Sequence, residues 1–320
     1  MRFTAIQKVI GLLIIGSSLM SCSPDVGYTD IEDLVFDDAV FRDCVVGEAK
    51  KNGWVNAGQV LDLHCVNPTS RKISNLSGIE NLHNIRALDL AHNEISDISP
   101  LAALNELEHL NLDDNDIRQV PAGISHISLT HLSLARNVIR DIRMISEFQR
   151  LEFLNLAANQ IDDDDLISLQ LSPTLQVLNL SQNEISDINS LGSLEKLRVL
   201  DLGHNKITSL SALENLRQLE YLSLNNNQIN DLTPLSGLFE LRRIDLSRNE
   251  VRSIEPLIIL ENVWRLSLDH NPIESIEPLL DFSELEFVSL RSVENLSCET
   301  IAKLIEQVGK DALIMDDYCL

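Results

Sequence analysis

The sequence predicts an α/β solenoid, with short parallel strands stacked coil upon coil and joined by turns on the opposite side. Three observations predict it. Asn recurs at 93, 115, 137, 159, 183, 205, 227, 249 and 271, and every step is 22 residues except one of 24. Ahead of each Asn stands the same alternating apolar phrase, from IRALDLAHN through LEFLNLAAN to VWRLSLDHN. Aromatic residues are only 4% of a chain that is 44% hydrophobic, so Leu and Ile must fill the core. A fixed period of this length marks a repeat architecture, in which each coil buries its apolar face against its neighbours.

Each part of the repeat has a physical reading. The L-x-L pair alternates with period 2, which gives a short strand with both apolar side chains on one face. Leu88 and Leu90, Leu110 and Leu112, and so on to Val288 and Leu290, therefore point inward. The nine Asn residues, Asn93, Asn115, Asn137, Asn159, Asn183, Asn205, Asn227, Asn249 and Asn271, follow the strands where the chain turns inward. Their amides are expected to bond the backbone of adjacent coils as a structural ladder. After each Asn, apolar residues recur every third position, as in Ile95, Ile98, Leu101 and Leu104. That spacing suits extended or 3₁₀ turns. Pro100, Pro234, Pro256 and Pro278 share one position there, which disfavours a helix interior. A tenth phrase, LEFVSLRSV, lacks the Asn, as a terminal turn would; Ile73, Leu76, Ile79 and Leu82 fit a degenerate first repeat. The repeats are thus expected to span 73–296. Ten strands at about 4.8 Å make a sheet roughly 45–50 Å long.

The phrase resembles the leucine-rich repeat L-x-x-L-x-L-x-x-N. The 22-residue period and the segment DISPL resemble the internalin-like class of bacterial repeats. The resemblance implies a right-handed superhelix with a concave parallel sheet, a mostly 3₁₀ or extended convex side, and caps at both ends. It also implies protein binding on the concave face. Contact residues do not transfer, because the concave positions are the variable ones. No immunoglobulin-like domain and no sortase-type anchor follows the repeats, so host-cell invasion is not carried over.

Capped ends are expected because terminal coils would otherwise expose core. Residues 31–72 form the N-terminal cap. Within it, residues 31–53 have helical periodicity, with Phe36, Val40, Cys44 and Val45 on one face, and VLDLHC at 60–65 reads as a strand. Residues 297–320 form a small α/β C-terminal cap, with a helix over Glu299–Val308 and ALIMDDYC as a last strand or extended segment. Four Cys allow three pairings. Each of two pairs brackets 20 residues at one end of the chain, which selects Cys44–Cys65 and Cys298–Cys319 over free thiols or a metal site.

Residues 1–21 read as a signal peptide: Arg2 and Lys8 are followed by the apolar run Val9–Met20, too short to span a bilayer as a helix. Leu19-Met20-Ser21-Cys22 resembles a bacterial lipobox, which implies lipidation of Cys22 and a membrane tether over 22–30. An ordinary secretory signal with Cys22 incidental is the alternative. Ser23 stands where the inner-membrane retention signal would be Asp, which in a Gram-negative cell implies the outer membrane. Formal charge is −24, and loss of Arg2 and Lys8 makes the mature chain more acidic still. That balance argues against nucleic acid, whose phosphates call for clustered Lys and Arg.

The variable concave positions lie six, four and two residues before each Asn. The first stripe contains His109, His131, Phe153, Val177, Val199, Tyr221, Arg243, Arg265 and Phe287. Phe153, Val177, Val199 and Tyr221 are expected to form an exposed apolar strip. Arg243, Arg248, Arg265 and Arg291 form a cationic end, with Trp264 at the sheet edge beside Arg265. Aromatic residues and Arg are enriched at interface hot spots, so this stripe is the candidate ligand site. The bland alternative is that the aromatics simply cover the sheet. The second stripe, short and polar from Asp89 to Ser289, reads as a hydrogen-bonded ladder. His109 and His131 could form a weak metal or pH-sensitive pair, but surface polar contact is the favoured reading. Asp162–Asp165, in the 24-residue repeat, could bind Ca²⁺, but a solvated acidic bulge is favoured.

No nucleotide-binding loop, nucleophile elbow or zinc-protease motif occurs, so no enzyme, cofactor or metal is expected. The function expected is an exported, membrane-anchored monomer that binds a protein or glycan in an adhesin-like role. A periplasmic structural or inhibitory scaffold without an external ligand is the alternative.

Overall fold

The computed structural model describes residues 28–66, 71–124, 128–294 and 296–316. The alternating phrases form one parallel sheet of twelve strands in strict chain order. They are β1 (Asp62–His64), β2 (Ala87–Asp89), β3 (His109–Asn111), β4 (His131–Ser133), β5 (Phe153–Asn155), β6 (Val177–Asn179), β7 (Val199–Asp201), β8 (Tyr221–Ser223), β9 (Arg243–Asp245), β10 (Arg265–Ser267), β11 (Phe287–Ser289) and β12 (Leu313–Ile314). The central residue of each full strand is fully buried or nearly so. Register keeps equivalent positions opposite one another, so Leu132 pairs with Leu154 and Leu200 with Leu222.

Behind the sheet, the triplet spacing produces 3₁₀ turns, as in Ser99–Ala103, Asn189–Ser193 and Glu277–Asp281. Pro100, Pro234, Pro256 and Pro278 are each the second residue of such a turn, where a missing N–H costs no turn hydrogen bond. The 24-residue repeat absorbs its extra length in a longer 3₁₀ segment, Asp165–Leu171. There the carboxylates meet backbone. Asp163 accepts from the Ser186 and Asp187 N–H groups at 2.7 and 2.9 Å, and Asp162 accepts from Asp164 N–H at 3.1 Å.

The Asn residues do what their position suggests, and in full. Asn205 donates its amide to the carbonyls of Leu180, Leu202 and Gly203, and its Oδ1 accepts the Ile185 N–H at 3.0 Å. One side chain therefore links two coils in both directions. The same pattern runs from Asn93 to Asn271, and all nine are at most 9% exposed. Each residue immediately before an Asn is left-handed, from His92 at φ 60° to His270 at 55°. None is Gly, so each carries the steric cost of that conformation.

The caps differ in detail from the expectation. Helix α1 covers Ala39–Asn52, not 31–53, because Asp38 caps it by accepting the N–H groups of Val40 and Phe41. Its buried face is Phe41, Val45 and Ala49, so Val45 lies on it as expected, while Val40 and Cys44 are half-buried beside it and the face is turned by about one residue. Phe36 is buried ahead of the helix, edge-on to Phe41. The other carboxylate oxygen of Asp38 accepts the Ser74 and Asn75 N–H groups, which ties the cap to the first repeat. Burial alone would raise the Asp38 pKa, but these four backbone donors hold it below the usual carboxylate value. Helix α2 spans Cys298–Val308, N-capped by Ser297, and leads to β12.

Cys44 and Cys65 are disulfide-bonded, as expected. Cys298 is also disulfide-bonded, and Cys319, its expected partner, lies outside the described residues. So do the leader, the lipobox-like residues and Cys22. Among the described residues, no helix is long and apolar enough to cross a membrane.

Candidate functional site on the concave face

Strand pairing sets the residues six before each Asn side by side. His109 pairs with His131, then Phe153, Val177, Val199, Tyr221, Arg243, Arg265 and Phe287 follow in consecutive coils. The structure thus brings nine of the expected residues into one column across the sheet.

The column is more ordered than a row of independent side chains. The rings of His109 and His131 stack at 4.4 Å, and His131 stacks on Phe153 at 5.8 Å. Phe153 is buried as a result, so the strip expected to be exposed is not exposed there. Val177, Val199 and Tyr221 are half-buried and continue the apolar surface. Beyond them the Arg243 guanidinium lies 4.4 Å over the Trp264 ring, and that of Arg265 lies 3.9 Å over Phe287. Trp264 therefore serves the preceding coil's Arg243. Such stacking holds a long side chain in one orientation. Arg291 lies two positions past β11, half-buried; Arg248 is exposed at a left-handed turn and does not belong to the strand column.

The second stripe corrects the expected ladder. Most of its polar side chains bond within their own coil: Asp89, Asn111, Asn155, Asn179, Asp201 and Asp245 each accept the N–H two residues ahead. That is an Asx-turn, which ends the strand locally. Bonds between coils occur where this position is Ser. Asp113 accepts the Ser133 hydroxyl and Ala135 N–H at 2.6 and 2.8 Å, and Asp269 does the same for Ser289 and Arg291. Asn155 also donates to the Ser133 hydroxyl at 3.0 Å.

Electrostatics divide the face. Burial pushes the carboxyl pKa of Asp113 and Asp201 upward. Tyr221 is pushed up to about 12, first by burial and then by Asp201 and Asp245, so its hydroxyl stays protonated at any physiological pH. Burial, followed by the neighbouring His109, depresses the His131 pKa below its ordinary 6.5. The unfolded chain therefore takes up a proton at His131 more readily than the folded one. Stability is expected to hold above about pH 6.5 and to fall as pH drops below it. Urea midpoints from pH 7.5 to 5.5 test this: His131→Phe, which keeps the stack, should flatten the decline, and an unchanged slope would exclude His131 as its source.

The described residues contain no group of three or more His, Cys, Asp and Glu side chains placed to hold a metal ion. Sequence reasoning missed the stacking of Arg243 on Trp264 and of His131 on Phe153. The available signal was the offset of one repeat between basic and aromatic residues in neighbouring phrases, 22 residues for His131 and Phe153 and 21 for Arg243 and Trp264.

Comparison with known proteins agrees with this geometry. Leucine-rich-repeat family models match residues 83–122, 173–215, 196–237 and 217–259, and a second such model matches 105–161. No curated protein matches. Among solved structures, internalin F from Listeria monocytogenes is similar over 91% of this chain and 85% of its own, with TM-score 0.79 and 24% identity. A leucine-rich-repeat protein from Leptospira interrogans matches over 77% of this chain and 82% of its own, with TM-score 0.54 and 19% identity. The leucine-rich-repeat ectodomain of a plant membrane receptor kinase from Arabidopsis thaliana, in complex with Casparian strip integrity factor 2, covers 74% of this chain and 33% of its own, with TM-score 0.53 and 21% identity. At these identities the solved structures speak to the fold alone. With the repeat, the ladder and the family models in agreement, this chain is a leucine-rich-repeat protein with the solenoid fold of the internalins.

Proposed function

We propose that this protein is an exported, lipid-tethered binding protein that recognises a macromolecular ligand on its concave face. One observation carries the reading. The frame repeats with almost no variation, while the outward column from His109 to Phe287 changes chemistry from coil to coil. A scaffold without a ligand needs the frame but has no use for a non-repeating column. The column also concentrates aromatic residues and Arg, the residue types that dominate binding energy at interfaces. The Cys44–Cys65 bond suits an oxidising compartment, in keeping with export. The plant receptor ectodomain in complex with Casparian strip integrity factor 2 is a precedent for recognition on this fold. The tether rests on the lipobox resemblance at Cys22, and an adhesin-like role on the combination of tether and face.

Affinity capture from envelope and host-cell extracts tests the face. The double variant Tyr221→Ala/Arg265→Ala is expected to lose at least about tenfold in affinity for whatever the wild type captures, since one truncated hot-spot residue alone costs about 2 kcal/mol or more. Unchanged capture would remove the ligand from this face. For the tether, Cys22→Ser is expected to move the protein from the membrane fraction to the soluble fraction. Protease accessibility on intact cells then separates surface display from a periplasmic scaffold.

A further inference from the structure

Recognition on the concave face leaves two partner classes, protein and glycan, and the coils from β6 to β11 favour one of them. Arg243 and Arg265 are direct register partners on adjacent strands. Like charges so placed repel. The chain has 49 acidic residues against 25 basic ones, yet among the described residues Arg243 makes no ion pair with any of them. Instead its guanidinium lies 4.4 Å over the Trp264 ring. Stacking uses the face of the group and keeps its N–H donors in one fixed plane, the fork that matches a carboxylate bidentately. An unneutralised, pre-ordered Arg on so acidic a protein fits an acidic partner.

The same stacking disfavours a glycan. Sugars dock on open aromatic faces, but Trp264 and Phe287 already carry a guanidinium, Phe153 is buried, and the one ring left, Tyr221, is half-buried between Val199 and Arg243. What remains open beside Arg243 is apolar: Val177, Val199 and Tyr221, in register and half-buried. Three strand spacings separate Val177 from Arg243, about 14 Å, or roughly four residues of an extended chain.

Resting on the concave-face reading, we propose that β6 to β9 bind an acidic polypeptide segment: apolar side chains lie over Val177, Val199 and Tyr221, and an Asp or Glu carboxylate is gripped by Arg243. The partner is then an extended or loop segment of a protein with a carboxylate roughly four residues from an apolar pair.

Panning a random nine-residue displayed peptide library tests this, against the wild type, Arg243→Gln, Arg243→Lys and Val199→Arg, each first checked for native circular dichroism. The wild type is expected to enrich peptides with Asp or Glu at one fixed position from an apolar pair. Arg243→Gln should keep the apolar preference and lose the acidic one, and Arg243→Lys should keep only a weak acidic bias. A synthesised selected peptide should lose about tenfold in affinity on Glu→Gln substitution, the size of one charge-assisted hydrogen bond. Acidic preference absent from the wild type, or surviving in Arg243→Gln, overturns the proposal. So does failure to enrich any peptide while a sulfated hexasaccharide binds in an Arg243-dependent manner, or while nothing binds. If Val199→Arg enriches the same peptides as the wild type, the concave-face reading itself falls. If Val199→Arg abolishes enrichment and Arg243→Gln changes nothing, only the carboxylate assignment falls.

Discussion

Asn205→Ala is expected to destabilise the protein by about 2–5 kcal/mol, because it orphans the buried Ile185 N–H, at about 1–3 kcal/mol, and removes two further hydrogen bonds of about 0.5–1.5 kcal/mol each. The Ile185 N–H donates to the Asn205 Oδ1, while the Leu180 and Leu202 carbonyls, each 3.0 Å from the Asn205 amide, keep the amides of Asn183 and Asn227 as donors. Asn205 is only 8% exposed, so solvent does not readily replace it. Asn205→Asp should not rescue. It restores the acceptor for Ile185 but sets a charged oxygen against two carbonyls. Lys206→Ala is the control, since its ion pair with Glu184 is exposed and worth little.

The position of Asn205 sharpens the prediction. A solenoid is stabilised mostly by neighbour-to-neighbour interfaces, so a break at mid-array uncouples its halves. Urea unfolding of Asn205→Ala, followed by circular dichroism, should therefore be broader than that of the wild type as well as shifted. Asn93→Ala, at the end of the ladder, should shift the curve with less broadening. A loss below about 1 kcal/mol for Asn205→Ala would falsify the ladder as a principal stabiliser.

These two positions also show why the fold was legible in the sequence. The period fixes which residues stack, because one coil cannot close with Leu200 inward unless Leu178 and Leu222 are inward too. The triplet spacing and the four Pro fix the kind of turn. Other features lie below the resolution of a period. The left-handed residue before each Asn is His, Asp, Arg, Ala, Gln or Asn, with no Gly to announce it. The Asx bonds of Asp201 and Asp245 and a cross-coil ladder call for the same residue types, so only coordinates separate them. Asp38 looks like one more acid in the run FDD, yet it sets the start of α1 and joins it to Ser74. The concave column was legible as a set of positions. Its stacking was not, because Arg243 could equally have paired with an acid.

Replacing both Cys44 and Cys65 with Ala is expected to lower stability by about 3 kcal/mol, and most of the loss should fall on the N-terminal cap. The bond closes a loop with a sequence separation of 21, and in the chain-entropy model a loop of that size is worth about 3 kcal/mol. It joins α1 to the segment just after β1, the outermost strand of the sheet. Without it, α1 is held by Phe41, Val45 and Ala49 packed on the core and by the Asp38 bonds to Ser74 and Asn75. Those contacts should keep the cap closed in buffer but let it open early in denaturant, because cap and repeats then share fewer constraints. The two Trp residues report the difference. Trp54 follows α1 in the cap, and Trp264 lies under Arg243 on the concave face. With Trp264→Phe or Trp54→Phe isolating each signal, the Trp54 transition should move to lower urea while the Trp264 transition moves little. Adding Asp38→Ala should widen the gap, since it removes the second tether. An opened cap also uncovers the free edge of β1, a template for pairing with another chain, so the triple variant should aggregate near its first transition. Coincident shifts of both Trp signals would mean instead that the cap and the repeats unfold as one unit, with the disulfide stabilising the whole solenoid.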